Sequence, residues 1–312
     1  MPNRSGDPST EYTLFIFGAG ASHFSPGILP RSPPLGPQLF RHLFDFDNFF
    51  TKLPPEVLDL FGNQQFEKAV EVLDVRYPEL MGRFQSLMAK YFVQFFPDKG
   101  RATLYHALFR QLIAANARFG IASLNYELVA ETALQEECEA IGLKSMALQE
   151  IFKPHGSCNF ILNFGNNSYR NVSAVNTNPN GGDFLAPVRV LDRISAMRTL
   201  SDPENKIAPA ISNYGKGKRT RNSSPFIEGH RVQLRTSIEK AKHVIIIGVF
   251  CDPDSDPHIW DPLRERRRGV WVVNPDMRKY SEVIPASAQL FKTFDVMVAP
   301  ESQTILSGVL CI

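Results

Sequence analysis

His155 and Asn125 are the side chains of this sequence best suited to moving a proton and holding a water beside a ligand. His155 lies in Lys153-Pro-His-Gly-Ser157, after a short apolar run and before a glycine that lets the backbone turn. Imidazole is the one side chain whose unperturbed pKa suits proton transfer near neutrality. On spacing alone, a structural histidine remains the other reading. Asn125 follows Phe119-Gly-Ile-Ala-Ser-Leu124, where the carboxyl end of a parallel strand would meet a ligand. A helix N-cap is its competing, and compatible, role. A third piece suits an anion: Gly18-Ala-Gly-Ala-Ser22, directly after Tyr12-Thr-Leu-Phe-Ile-Phe17. Gly18 and Gly20 remove Cβ atoms that would keep phosphates off the backbone. A helix starting there would aim its unpaired N–H groups at the same spot. The piece is shorter than the full dinucleotide fingerprint, and no acidic residue stands at an assignable distance. A tight strand-to-helix bend without a ligand is therefore the alternative.

These residues need strands to place them. Residues 12–17 are apolar or β-prone, as expected for a strand covered on both faces. Val244-Ile-Ile-Ile-Gly248 and Gly269-Val-Trp-Val-Val-Asn274 have the same character and are separated by a helix, one right-handed crossover unit. Gln289 to Val298 reads as a last strand and the C-terminal segment as a short helix. Between the first two strands lies His23 to Pro37, rich in proline and glycine, a loop over the turn that reads equally as a lid or a rigid crossing. A helical layer follows over about 38–115, with apolar stripes through Phe66, Ala69, Val70 and Leu73 and through Leu80, Phe84, Leu87, Met88, Tyr91, Phe92 and Phe95. Cys158 to Phe164 and Tyr169 to Val175 read as a hairpin. Lys216, Lys218, Arg219 and Arg221 read as a solvated loop, with contact to a phosphate or partner chain as the alternative. Asp252, Asp254 and Asp256 lack the register of a calcium loop and are taken as turn formers and helix caps. The fold class is thus α/β, a Rossmann-like parallel sheet with a helical insertion. Residues 1–10 form a loose polar tail and 11–312 one domain.

Composition narrows the partners. With 34 Lys and Arg against 32 Asp and Glu, the formal net charge is +2, which calls for neither nucleic acid nor an anionic membrane. No apolar run is as long as a membrane span, and the polar start lacks a signal-peptide core, so a cytoplasmic location is expected. The four cysteines form no C-x-x-C pair, which argues against a structural zinc ribbon; no metal-ligating set is assigned.

Taken in order, Gly18 to Ser22, Ser123-Leu-Asn-Tyr-Glu127, Lys153 to Ser157, and Gly248 with Asn274 resemble the sirtuin fold. They resemble more closely the sirtuin-like NAD-hydrolase domains of bacterial antiphage defence systems. The resemblance implies that Gly18, Ala19, Gly20 and Ser22 hold the NAD pyrophosphate. It implies that Asn125 positions the attacking water beside the nicotinamide ribose, that His155 acts as base, and that Gly248 and Asn274 hold the adenosine ribose. NAD is then the substrate, with no zinc. Departures stand beside these matches. The four-cysteine zinc module is absent, Leu124 and Glu127 stand where deacylases carry Gln and Asp, and the acid and arginine pair after the glycine turn is missing unless Arg31 substitutes. They favour NAD cleavage over deacylation. The alternatives are a deacylase, an ADP-ribosyltransferase, a cyclase, a dehydrogenase or a non-catalytic NAD-sensing subunit. Because NAD loss is lethal, the resemblance further implies a homo-oligomer or an activating subunit such as a HerA-like ATPase or an Argonaute-type protein. The helical layer and the Arg264-Glu-Arg-Arg-Arg268 face are the candidate contact surfaces.

Overall fold

A computed structural model describes residues 11–142, 151–164, 173–178, 181–213, 220–267, 269–276, 279–285 and 287–299. The chain opens with β1 (Thr13–Phe17), the short helix α1 (Ala19–His23) and β2 (Ile28–Leu29). The helical layer follows as α2 (Gly36–Phe46), α3 (Pro55–Gly62), α4 (Phe66–Arg76) and α5 (Pro78–Phe92), then β3 (Phe96–Pro97) and α6 (Leu104–Ala114). After β4 (Phe119–Ser123) and α7 (Val129–Ala140) come four short strands, β5 (Phe160–Leu162), β6 (Ser173–Asn178), β7 (Gly181–Leu185) and β8 (Val188–Val190), and α8 (Arg193–Ser201). The last part is again α/β: α9 (Ser224–Lys240), β9 (His243–Ile247), α10 (Pro257–Glu265), β10 (Val270–Val273), β11 (Gln289–Phe291) and α11 (Phe294–Val298).

Five strands form the central sheet in the order β11-β10-β9-β1-β4, every pair parallel. Beyond β4, Phe152 adds a single parallel bridge to Ala122. Counted along the chain, with Phe152 as the third, the sheet order is 3-2-1-4-5-6, the order of a doubly wound dinucleotide-binding sheet. The strands alternate cleanly. Phe15, Phe17, Ile121, Ile245 and Ile247 face one core, while Leu14, Ile16, Ala122, Val244 and Ile246 face the other. Both faces are covered, which explains why β1 and β9 read as unbroken apolar runs.

The first core includes the helical layer. Phe17 meets Tyr105 edge-on at a ring separation of 5.0 Å and Phe109 at 6.2 Å. Each such buried ring contributes about 1.5–3 kcal/mol. The layer is therefore continuous with the sheet's own core rather than hung outside it. The second core is closed by α9 and α10 through Leu234, Ile238, Ile259, Trp260 and Leu263. Helices begin where prolines open them, at Pro55 and Pro78, or where Thr103 and His106 form a capping box for α6.

Two expectations change. β5 pairs antiparallel with β8, and β6 with β7, so the single hairpin is replaced by two separate pairings; residues 165–172 lie outside the described set. Arg221 is not part of a solvated loop: its guanidinium is buried between Asp74 on α4, reached by a short bond, and Asp183 on β7 at 2.9 Å. Lone cations on the surface read alike in sequence, and only the fold supplies two carboxylates to one of them. Lys216, Lys218, Arg219 and residues 1–10 lie outside the described residues. No described helix is long and apolar enough to cross a membrane.

A pair of substitutions separates backbone need from mere composition. Gly248 has φ +61°, and a Cβ there would stand 2.1 Å from the Ala21 nitrogen. Gly229 lies inside α9 with nothing within 4 Å. Gly248→Ala is expected to cost about 3 kcal/mol or more. Gly229→Ala should stabilise by about 1 kcal/mol. Chemical denaturation of the two variants checks both signs.

Candidate active site

A cleft of about 720 Å³ opens at the carboxyl ends of β1, β4, β9 and β10, at the point where the strand order reverses. Its floor is backbone. Gly18 N–H donates to Ile247 O and Gly20 N–H to Gly248 O, both at 2.9 Å. A Cβ on Gly18 would meet Gly248 O at 2.6 Å, and one on Gly20 the Gly248 Cα at 2.9 Å. These glycines thus let two strand-end loops touch. That differs from the sequence reason, approach of a phosphate, and it leaves the Gly20 N–H already engaged. The helix that follows, α1, has five residues, so it supplies little dipole. Ala19, like the two glycines, lines the cleft.

Ser22 sits behind this floor, fully buried. Its hydroxyl donates to Glu127 Oε1 at 2.6 Å and accepts from Asn125 Nδ2 at 3.1 Å. With its one proton spent, the 2.8 Å contact to Tyr105 is donated by the phenol. Ser22 lines the cleft and is at the same time a hub for three side chains. Burial pushes the Tyr105 phenol up, with Glu127 adding to it. Glu127 is likewise pushed up by burial, against the opposing pull of the Lys153 ammonium.

Asn125 Nδ2 also donates to Gly18 O at 3.1 Å. Its amide nitrogen is spent on the floor, which leaves Oδ1 as the group for a molecule in the cleft. The residue is not the cap of α7: Glu127 Oε2 accepts the Val129 N–H at 2.6 Å instead. Glu127, absent from the sequence-derived site residues, so joins the floor to the helix behind it. Lys153, equally buried, donates to Glu127 O at 2.9 Å and to Glu131 Oε1 at 2.6 Å.

His155 lines the same cleft. Its Nε2 is 2.7 Å from Asp256 Oδ1, and both side chains are buried. The position of Asp256 before α10 had suggested a cap, but it makes no side-chain cap bond; Asp252 keeps the turn role by accepting the Ser255 N–H at 3.3 Å. A carboxylate acceptor fixes the proton on Nε2 and leaves Nδ1 as the basic nitrogen. His258 Nε2 lies 3.9 Å from the same Asp256 oxygen. His155, Asp256 and His258 present ligand-type atoms all within 4.8 Å of one another, a convergence outside the sequence expectation of no metal-ligating set. The only hint in sequence was the aspartate-rich turn after β9.

Asn274 lines the cleft through a tied side chain. Nδ2 donates to Val249 O at 2.9 Å and to the Tyr280 hydroxyl at 3.0 Å, and Oδ1 accepts the Asp276 N–H at 3.0 Å. The wall opposite the sheet is helical-layer chain, Gln64 to Lys68, with Pro33 to Pro37 of the proline-rich loop. The loop's first half is anchored: Ser25 Oγ accepts the Leu104 N–H at 2.9 Å, and Asp98 N–H donates to Gly27 O at 2.7 Å. Arg31 is exposed and outside the cleft lining. At the mouth, Phe24 and Phe250 expose 55% and 65% of their surface. Among the described residues Cys138, Cys158 and Cys251 are buried free thiols, and burial raises Cys251 to about 11.

Fold and site together define a doubly wound α/β protein with a ligand-sized cleft at its switch point. No protein-family profile and no curated protein matches the chain. Among solved structures it is similar to a Sir2 homologue mutant in complex with ADP-ribose, at 13% identity over 96% of this chain and 93% of that one, with a TM-score of 0.46. It is also similar to a Sir2 homologue–NAD complex, at 15% identity over 96% and 90%, TM-score 0.46. A third is Sir2 with an inhibitor, 2′-O-acetyl-ADP-ribose and a deacetylated p53 peptide, at 15% identity over 96% and 94%, TM-score 0.43.

The segment carrying His155 is tied to α9 by His230, whose Nδ1 accepts the Lys153 N–H at 3.3 Å while its ring stacks on Phe160. Burial, then the nearby Lys153 charge, lowers His230 to about 4. The unfolded chain therefore binds the extra proton between its ordinary value near 6.5 and about 4. Stability from this group is full above about 6.5 and falls as pH drops through that window, by on the order of 3 kcal/mol. Unfolding curves of wild type and His230→Phe between pH 7 and 4 should diverge accordingly, the variant losing less.

Proposed function

We propose that the cleft binds NAD and that the chain is an NAD⁺ glycohydrolase, breaking the nicotinamide–ribose bond. The observation that carries this reading is the buried His155–Asp256 pair, set in one cleft with an asparagine whose oxygen is left for a water. Breaking the bond gives the anomeric carbon oxocarbenium character, so the reaction needs an oriented water and a base rather than a strong nucleophile. Asn125 Oδ1 accepts from the water and orients it. His155 Nδ1 takes the water's proton, and Asp256 stabilises the imidazolium that forms. The backbone floor from Gly18 to Gly20, with Ala19, lies against the pyrophosphate. Asn274 and Gly248 shape the far end for the adenosine ribose, and Ser22 holds Asn125 in place. Depletion of NAD in antiphage defence, with activity released by self-assembly or by a HerA-like or Argonaute-type partner, is the biological role that goes with this chemistry.

The test is nicotinamide and ADP-ribose release from NAD, followed by chromatography at several protein concentrations, with and without an acylated peptide. Wild type should release both in equal amounts without peptide. Asn125→Ala and His155→Ala should each lower the rate by about 100-fold or more while the protein stays folded. Undiminished rates in both overturn the site assignment. Peptide-dependent release points to a deacylase, a cyclic product to a cyclase, label on protein to a transferase, and tight NAD binding without turnover to a sensing subunit.

A further inference from the structure

We propose that His155, Asp256 and His258 form a site for a divalent transition cation of the zinc type, and that the cation inhibits the site; the inhibitory half rests on the reading of His155 as base. Two imidazoles and one carboxylate are a ligand set that zinc accepts, with a fourth position left for water or substrate. Two of the three, His155 and Asp256, line the cleft, so that fourth position opens toward the substrate. The geometry is near to what the ion needs. Tetrahedral zinc with bonds of about 2.0–2.1 Å holds its ligand atoms about 3.3 Å apart. Here His155 Nε2 and Asp256 Oδ1 are 2.7 Å apart, and His258 Nε2 is 3.9 Å from the same oxygen. The His155–Asp256 contact must open and the His258–Asp256 contact close, each by about 0.6 Å. The two imidazole ligand atoms, now within 4.8 Å of each other, must come to about 3.3 Å, all by side-chain rotation. Asp256 and His258 sit at the start of one helix, α10, whereas His155 comes from the far edge of the sheet, so the ion would clamp the two sides of the cleft.

Inhibition follows from the two nitrogens of one ring. With Asp256 at Nε2, the proton sits on Nε2 and Nδ1 is basic. A cation on Nε2 takes that lone pair, the ring proton moves to Nδ1, and the base is lost without any change of net protonation on the imidazole. Occupation by cation and service as base are thus mutually exclusive at His155.

Calorimetric titration of the full chain with zinc chloride, beside nicotinamide release at rising zinc, tests this. Wild type should take up one zinc per chain and lose NAD cleavage over the same concentration range. His258→Gln, at a side chain outside the proposed reaction, should keep the zinc-free rate close to wild type. It should need about tenfold or more zinc both to bind and to be inhibited. Asp256→Asn should weaken binding likewise. Zinc binding equal in all three proteins overturns the site, and zinc that binds there without slowing release overturns the inhibitory role. A chain that releases no nicotinamide overturns the proposed function and the inhibitory role together, while the calorimetric titration still decides the cation site.

Discussion

The contact between the backbone after β1 and the backbone after β9 governs the rest of the site. Two hydrogen bonds, Gly18 to Ile247 and Gly20 to Gly248, hold the loops together, and each glycine stands where a Cβ would collide with the opposite chain. At this point the sheet reverses its order, so the connections on either side leave in opposite directions and a crevice opens between them. The floor itself is made of atoms that every peptide has, and the cleft above it has a volume of about 720 Å³.

Everything polar near the floor is held from behind. Ser22, Tyr105, Glu127 and Asn125 exchange hydrogen bonds with little contact with water, and Lys153 ties the same region to Glu131. Buried polar groups are costly unless satisfied, and once satisfied they fix a single arrangement. The shift of Glu127 and Tyr105 toward their neutral forms reflects that desolvation. Its consequence for the cleft is an asparagine held in one orientation, with its nitrogen on Gly18 and Ser22.

The helical layer contributes in two places. Through Tyr105 and Phe109 it packs on β1 and closes one core, and through Gln64 to Lys68 it forms the wall facing the sheet. The buried Arg221, pairing α4 with β7, locks this layer to the small strand pairings. A guanidinium buried between two carboxylates holds its partners in register, since removing it leaves both carboxylates without a counter-charge.

The sequence by itself determined what depends on chain neighbours. Unbroken apolar, β-prone runs marked β1, β9 and β10, apolar stripes at helical spacing marked the helical layer, and strand-end positions marked Asn125, His155, Gly248 and Asn274 as cleft residues. Only the tertiary structure decided what those residues do. Gly18 and Gly20 face another backbone, Asn125 is pinned by its nitrogen rather than capping a helix, and Ser22 is an interior hub. Asp256 abandons its helix for His155, 101 residues away in sequence. Local pattern encodes backbone conformation and burial, because these are set within a few residues. A hydrogen bond between distant segments is set by which strands become neighbours, and that choice is a property of the whole sheet, which no single stretch of residues carries.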